Sequence, residues 1–195
     1  MCEGECDMMD KLNIVEHKSA SYAPRTYHNA HSADLTIAVA CDFTTAGERL
    51  TKKAAGEKYI HFELNWESVE CARSLYRYMK THNVKTINIA GNGIYTWGKN
   101  GHDQHQVNYW LLNLLRPIHE HLGIEYIYSG GQSGTDLAGG VVSCLLDIPC
   151  TMTLPKGYKM RFENGKDVDH TKDEVYAMVK ECLSKWNTKE EDYEF

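Results

Sequence analysis

The run Ile124-Glu125-Tyr126-Ile127-Tyr128 passes through Ser129-Gly130-Gly131-Gln132-Ser133-Gly134-Thr135-Asp136 into the apolar stretch 137–146, and no other feature constrains the fold of this chain so tightly. A strand that ends in a glycine-rich turn and feeds straight into a helix gathers unpaired N–H groups, and the positive end of the helix dipole, around one small hollow. Such a hollow suits an anion, and glycines let the main chain approach a ligand closely. Ser133, Thr135 and Asp136 add groups that cap a helix or grip a sugar. The expectation is a phosphate or nucleotide-type ligand at the carboxyl end of a strand, with a plain strand-to-helix turn as the alternative. Neither the G-x-x-x-x-G-K-[ST] nor the G-x-G-x-x-G spacing is present.

Other segments repeat the alternation. Residues 35–40 are a continuous apolar run, as in a strand buried on both faces, and Thr44-Thr45-Ala46-Gly47-Glu48 precedes a helical stretch to residue 55. Residues 58–64 read as a strand, and Val69, Ala72, Leu75, Tyr76 and Met79 recur at helical spacing between 66 and 82. A third strand over 86–90 leads into Gly91-Asn92-Gly93 and a longer loop to 101. A helix follows over 104–121, with Pro117 bending its last turn. Residues 148–154 give a fifth strand and 171–186 a last helix. The pattern predicts an α/β fold, a mostly parallel sheet of about five or more strands with helices on both faces. Its post-strand loops share one edge, where ligands of open sheets bind. Residues 1–20 are polar and aperiodic, and are expected to be loosely ordered. Residues 21–187 are read as a single domain and 188–195 as a solvated acidic tail.

Composition narrows the function. No apolar stretch approaches the roughly 20 residues that span a bilayer, and the polar start lacks signal-peptide features, so a soluble cytoplasmic protein is expected. Seven cysteines are an odd number, and Cys41, Cys71, Cys144 and Cys182 sit on apolar stretches, which suits reduced thiols. Cys2 and Cys6 have no second pair at zinc spacing. The pairs His28/His31 and His102/His105 are each three residues apart; Asp103 beside the second pair reads as a helix N-cap, and no metal site is expected. A net charge of −6 disfavours nucleic acid as a partner. Tyr95 and Trp97 after the second glycine turn either offer a face for a base or pack the loop onto the sheet. The helix around 107–115 is apolar over much of its circumference, which core packing or a homo-oligomer contact explains.

Two groups of blocks resemble a known family. Gly130-Gly131-Gln132-Ser133-Gly134-Thr135-Asp136 with Ala138, Leu154-Pro155-Lys156-Gly157 and Glu163-Asn164-Gly165 are similar to the first half of the molybdenum-cofactor carriers and their YpsA-like relatives in the SLOG superfamily. Tyr22-Ala23-Pro24-Arg25-Thr26 with Asn29, Ser32-Ala33-Asp34 with Thr36, and Thr45-Ala46-Gly47-Glu48-Arg49-Leu50-Thr51 resemble the second half, including its Gly-Thr-x-Leu-Thr segment. The order of the halves is reversed here, as in a circularly permuted member, which leaves strand neighbours unchanged.

The resemblance implies a Rossmann-like fold and a nucleotide-type ligand without a required cofactor. Gly130, Gly131, Gly134 and Thr135 would cradle a phosphate through main-chain N–H groups, with Gln132 and Ser133 in the same turn, and Asp136 would cap the turn or accept from a ribose hydroxyl. Arg25 would grip phosphate, and Lys156 would add a point charge. Thr26, Asn29, Thr45, Gly47 and the turn Gly91-Asn92-Gly93 complete the expected binding set. The related "lonely guy" phosphoribohydrolases carry an arginine before the glycine segment and a glutamate after it; this chain has neither, which leaves Asp136 and Glu48 as substitute acid-base candidates. The carriers' Asp-Arg pair is Asp136-Leu137 here, which weakens a cofactor-carrier role. The leading expectation is a sensor, carrier or sequestering protein for a small nucleotide derivative. The alternatives are an N-glycoside hydrolase of nucleotides or ADP-ribose derivatives and, as in DprA relatives, single-stranded DNA binding.

Overall fold

A computed structural model describes residues 8–186. Six strands, β1 (Leu12–Glu16), β2 (Leu35–Ala40), β3 (Tyr59–Glu63), β4 (Thr86–Gly91), β5 (Tyr126–Ser129) and β6 (Cys150–Leu154), form one sheet in the order β1-β6-β5-β4-β2-β3. Every pairing in it is parallel. The helices are α1 (Tyr22–Ser32), α2 (Ala46–Ala55), α3 (Ser68–His82), α4 (Ile94–Lys99), α5 (Gln104–Leu122), α6 (Thr135–Leu145) and α7 (Lys172–Trp186). A short antiparallel hairpin, β7 (Met160–Arg161) and β8 (Asp167–Val168), lies between β6 and α7.

The α/β fold expected from the alternation is present, in the Rossmann-like arrangement that the resemblance implies. Helices α1 and α2 pack together on one face of the sheet, and α3, α5, α6 and α7 pack as successive neighbours on the other. Burial explains why: all six residues of β2 are inside, so neither of its faces can be left to water. Helix α6 is buried from Thr135 to Cys144. It lies close on the sheet because Gly139 and Gly140 have no side chain; a Cβ on Gly139 would stand 3.0 Å from Ile89, and one on Gly140 would overlap Met152 Sδ.

Several elements differ from the sequence reading. Leu12–Glu16, expected in a loose lead-in, is strand β1, which pairs with β6 and buries Leu12 and Ile14. Residues 1–7 and the whole acidic tail, 188–195, lie outside the described residues, as do Cys2 and Cys6. Helix α1 carries Pro24 in its first turn, where the missing N–H costs nothing. Helix α4 replaces part of the expected loop, and α5 runs on through Pro117 to Leu122. Asp103 caps α5 in a full capping box with Gln106. His102 packs edge-on to Trp97 and His105 against Trp186. Leu111, Leu112, Leu114 and Leu115 of α5 are buried and Trp110 bonds the Trp66 carbonyl, so packing within the chain accounts for most of that helix's apolar circumference. Among the described residues the cysteines are free, and no helix is long and apolar enough to cross a membrane.

The topology fixes where a ligand fits. From β2 the chain steps outward to β3, then crosses back to β4 on the opposite side of β2, so strand order reverses between β2 and β4. A crevice opens at the carboxyl ends of strands at such a point. The topology is compatible with the reversed block order: α7 packs against β1, so a chain opened before β5 would join β6, α7 and β1 into an ordinary β-α-β unit.

Candidate functional site

A cleft of about 500 Å³ lies at this reversal point, within the usual range for small-ligand sites. Arg25, Thr26 and Asn29 reach it from α1, and Thr45, Gly47 and Glu48 from the start of α2. Gly91, Asn92 and Gly93 follow β4 into it, and Gln132 and Asp136 come from the glycine-rich turn. Of the remaining expected residues, Gly130, Gly131, Ser133, Gly134, Thr135 and Lys156 do not line it. Lys156 is exposed, its N–H bonded to the Ser19 carbonyl.

The glycine-rich turn is built inward rather than as an open amide cradle. Gly134 N–H donates to Gln104 Oε1 at 2.7 Å, and Gln104 Nε2 returns a bond to the Gly134 carbonyl. Thr135 N–H donates to the Asn92 carbonyl, and Ile94 N–H to that of Ser133. Thr135 Oγ1 donates to the Val39 carbonyl and accepts from Trp97 Nε1. Trp97 is fully buried, so of the two readings for the Tyr95/Trp97 pair, Trp97 takes the packing one. The N–H groups of Gly134 and Thr135 are therefore occupied within the fold. The glycines serve packing: a Cβ on Gly130 would overlap Arg25 Nη1, and one on Gly131, at φ +68°, would meet Leu154 at 2.5 Å.

The space left by Gly130 holds a buried ion pair. Arg25 Nη1 donates to Asp136 Oδ2 at 2.8 Å, with both side chains no more than 10% exposed. Burial pushes the Asp136 carboxyl upward from its ordinary value, while Arg25 and the N–H groups of Gln132 and Gly91 pull it down. The expected Arg25 and Asp136 thus meet at the cleft floor, engaged with each other.

Glu48 is the other buried acid. Thr45-Ala46-Gly47-Glu48 spells a capping box, and Thr45 Oγ1 does accept from Glu48 N–H. The Glu48 side chain instead turns into the protein, 3% exposed, where Asn92 Nδ2 reaches Oε1 at 3.5 Å. Asn92 is held in turn, accepting from the N–H groups of Cys41 and Asp42 and donating to the Asp42 carbonyl. Burial first, then the charges of Asp136 and Asp42, push the Glu48 carboxyl up to about 8. Its neutral form therefore prevails at pH 7.

Five buried side-chain atoms among the described residues have no hydrogen-bond partner, and three belong to this cleft: Arg25 Nε, Asn29 Oδ1 and Glu48 Oε2. Asn29 Nδ2 donates to the Ser129 carbonyl, which fixes Oδ1 as the open end. Each such atom costs about 1–3 kcal/mol, and unsatisfied polar groups concentrated at one place mark function rather than stability.

The sequence reading missed two rim residues, Tyr22 as a lining ring and Arg161. Arg161 pairs with Asp167 across the β7–β8 hairpin, and Tyr22 Oη donates to Asp167, burial and that carboxylate pushing its hydroxyl up to about 12. Gln132 Oε1 accepts from Arg161 N–H and Ser133 Oγ donates to the Arg161 carbonyl, docking the hairpin on the glycine turn. Asn164-Gly165 between β7 and β8 is the hairpin signal that would have located this element. Among the described residues, no group of three or more histidines, cysteines and acids is disposed to hold a metal.

The model of the circularly permutated YpsA SLOG family matches residues 4–99, the span that contributes α1, β2, the start of α2 and the turn after β4 to the cleft. No curated protein matches the chain. Fold, reversed block order and family match agree: over residues 4–99 the chain matches the circularly permutated YpsA family of SLOG proteins.

Proposed function

We propose that the cleft between the ends of β2 and β4 binds a small nucleotide-derived ligand containing ribose and phosphate, and that the protein acts as its sensor, carrier or sequestering protein. The observation that carries this reading is the coincidence of the strand-order reversal with three buried, unpartnered polar atoms. SLOG membership suggests a nucleotide-related ligand-binding or glycosylase-like role. The start of α2, where no described group accepts from the N–H of Ala46 or Gly47, and Arg161 on the rim supply positive potential for a phosphate. Tyr22 and Tyr95 bring rings to the cleft against which a base can stack.

A thermal-shift panel of nucleoside mono- and diphosphates and ADP-ribose tests the reading. A ligand a hundredfold above its Kd adds about 2.7 kcal/mol, or roughly 5–10 °C in Tm for a chain of this size. The same molecule is expected by mass spectrometry among those released on denaturing the purified protein. A flat panel together with no released nucleotide derivative counts against it.

Glu48 favours a second reading, hydrolysis of an N-glycosidic bond. A carboxyl kept neutral near pH 7 by burial suits a general acid, giving its proton to the departing base nitrogen as water adds to the anomeric carbon and returns one of its protons to the carboxylate. Asp136, engaged by Arg25, is less suited to that role. Recovery of intact ligand after long incubation argues for the binder, and release of free base for the hydrolase.

A further inference from the structure

The three unpartnered atoms of the cleft floor differ in kind, and their chemistry narrows the ligand. Arg25 and Asn29 stand one turn apart on α1, so their side chains are neighbours on one helix face. Arg25 Nε–H is a donor. Asn29 Oδ1 is an acceptor, because Nδ2 is committed to the Ser129 carbonyl. Glu48 comes from α2, which packs against α1; its Oε1 accepts from Asn92, so a proton on the neutral acid resides on Oε2 and makes that atom a donor. Two donors and one acceptor on adjoining side chains do not match a phosphate, which only accepts. Nor do they match a carboxylate, or an aromatic face with no polar edge. A pair of adjacent hydroxyls matches them: one hydroxyl accepts from Arg25 Nε–H while donating to Asn29 Oδ1, and its neighbour accepts from Glu48 Oε2–H.

The three atoms are closed off from solvent, so the ligand must displace the side chains that cover them as it enters. That adjustment is favoured because every partner it supplies relieves a buried polar group.

We propose that Arg25, Asn29 and Glu48 form a subsite for the vicinal 2′- and 3′-hydroxyls of a ribose, so that the cleft takes ribonucleotides in preference to 2′-deoxyribonucleotides. This rests on the reading of the cleft as a nucleotide site and adds the part of the ligand that is recognised and the residues that select it. A site built to hydrogen-bond a hydroxyl rejects the analogue that lacks it more strongly than an apolar pocket rejects a missing methylene, since buried polar groups are left unpaired.

The experiment is calorimetric titration of the full chain with the four 5′-ribonucleoside monophosphates, each beside its 2′-deoxy counterpart. For whichever base binds, the deoxy form is expected to bind at least tenfold more weakly. Asn29→Ala should weaken the ribo form toward the affinity of the deoxy form and leave the deoxy form nearly unchanged, so that the ratio collapses. Glu48→Gln, close in shape and uncharged, keeps an acceptor for Asn92 and a donor toward the ligand, and should keep both the fold and the ratio. A residue that merely shapes the cleft would weaken both members of a pair equally. Equal binding of ribo and deoxy forms by the unaltered protein overturns the subsite while the nucleotide reading stands. Binding of neither series, with ADP-ribose and the diphosphates also silent, removes the nucleotide reading and this inference with it. Should Asn29→Ala fail to fold, near-equal affinities of the unaltered protein for the ribo and deoxy forms still overturn the proposal.

Discussion

Replacing Glu48 by glutamine isolates the least comfortable group in the molecule. The carboxyl is 3% exposed, has one long hydrogen bond and one oxygen with none, and faces the charges of Asp136 and Asp42, with Tyr59 also nearby. Its value of about 8 in the folded chain lies well above the 4.5 of an unhindered glutamate. A raised acid contributes its stability fully below the unfolded value and loses it as pH rises toward the folded one, because the unfolded chain releases the proton first. Linkage across that interval makes the glutamate worse than a neutral isostere by roughly 1 kcal/mol at pH 5 and on the order of 4–5 kcal/mol by pH 9. Glutamine keeps the volume and the bond to Asn92 but cannot ionise. In urea unfolding of both proteins at pH 5, 7 and 9, the midpoints should differ least at the lowest pH, with a widening advantage for Glu48→Gln above it. A stability difference that stays constant from pH 5 to 9 refutes the reasoning, since Glu48 would then ionise alike in the folded and unfolded chain.

Other consequences follow from the same geometry. Asp136→Ala leaves the Arg25 guanidinium buried and unpaired, and should cost about 3–5 kcal/mol in denaturant unfolding; a loss under 1 kcal/mol would mean the pair is solvated. Gly130→Ala sets a methyl on Arg25 Nη1 and should lower Tm by well over 5 °C, whereas Gly47→Ala, with open space at its Cβ, should leave Tm within a degree or two, both read by calorimetry. Trp97→Phe removes the bond to Thr135 Oγ1 and should cost about 1–3 kcal/mol, an unchanged urea midpoint being the contrary result. An anionic nucleotide should bind the wild type more weakly as pH rises through about 8, when Glu48 gains its charge, and Glu48→Gln should bind it with a flatter pH profile.

The sheet was legible because buried parallel strands announce themselves as apolar runs bounded by glycine turns. Strand β1 was not: Leu12-Asn13-Ile14-Val15-Glu16 is a short edge strand within polar sequence, and its partner β6 lies far along the chain. Helix α1 escaped because Pro24 and a run of tyrosine, histidine and asparagine hide its period, although its block Arg25-Thr26 with Asn29 was identified by resemblance. In the glycine-rich turn, composition located the site's edge and misread its interior. Whether an N–H is free depends on what comes from elsewhere, and here Gln104 and Asn92 arrive to occupy the groups of Gly134 and Thr135. Glu48 stands where the resembled Gly-Thr-x-Leu-Thr segment has its first threonine, and that its side chain turns inward toward Asn92 instead of capping α2 is decided by tertiary packing.

The central claim is that the reversal point between β2 and β4 is where this protein meets a nucleotide. Amide-resolved NMR titration with whichever nucleotide stabilises the protein most tests it directly. Saturating shifts are predicted at Thr26, Asn29, Gly47, Glu48 and Gly93, which come from three separate segments and meet only in this cleft. Shifts confined to the groove between α3 and α5, around Tyr76 and His121, would contradict it.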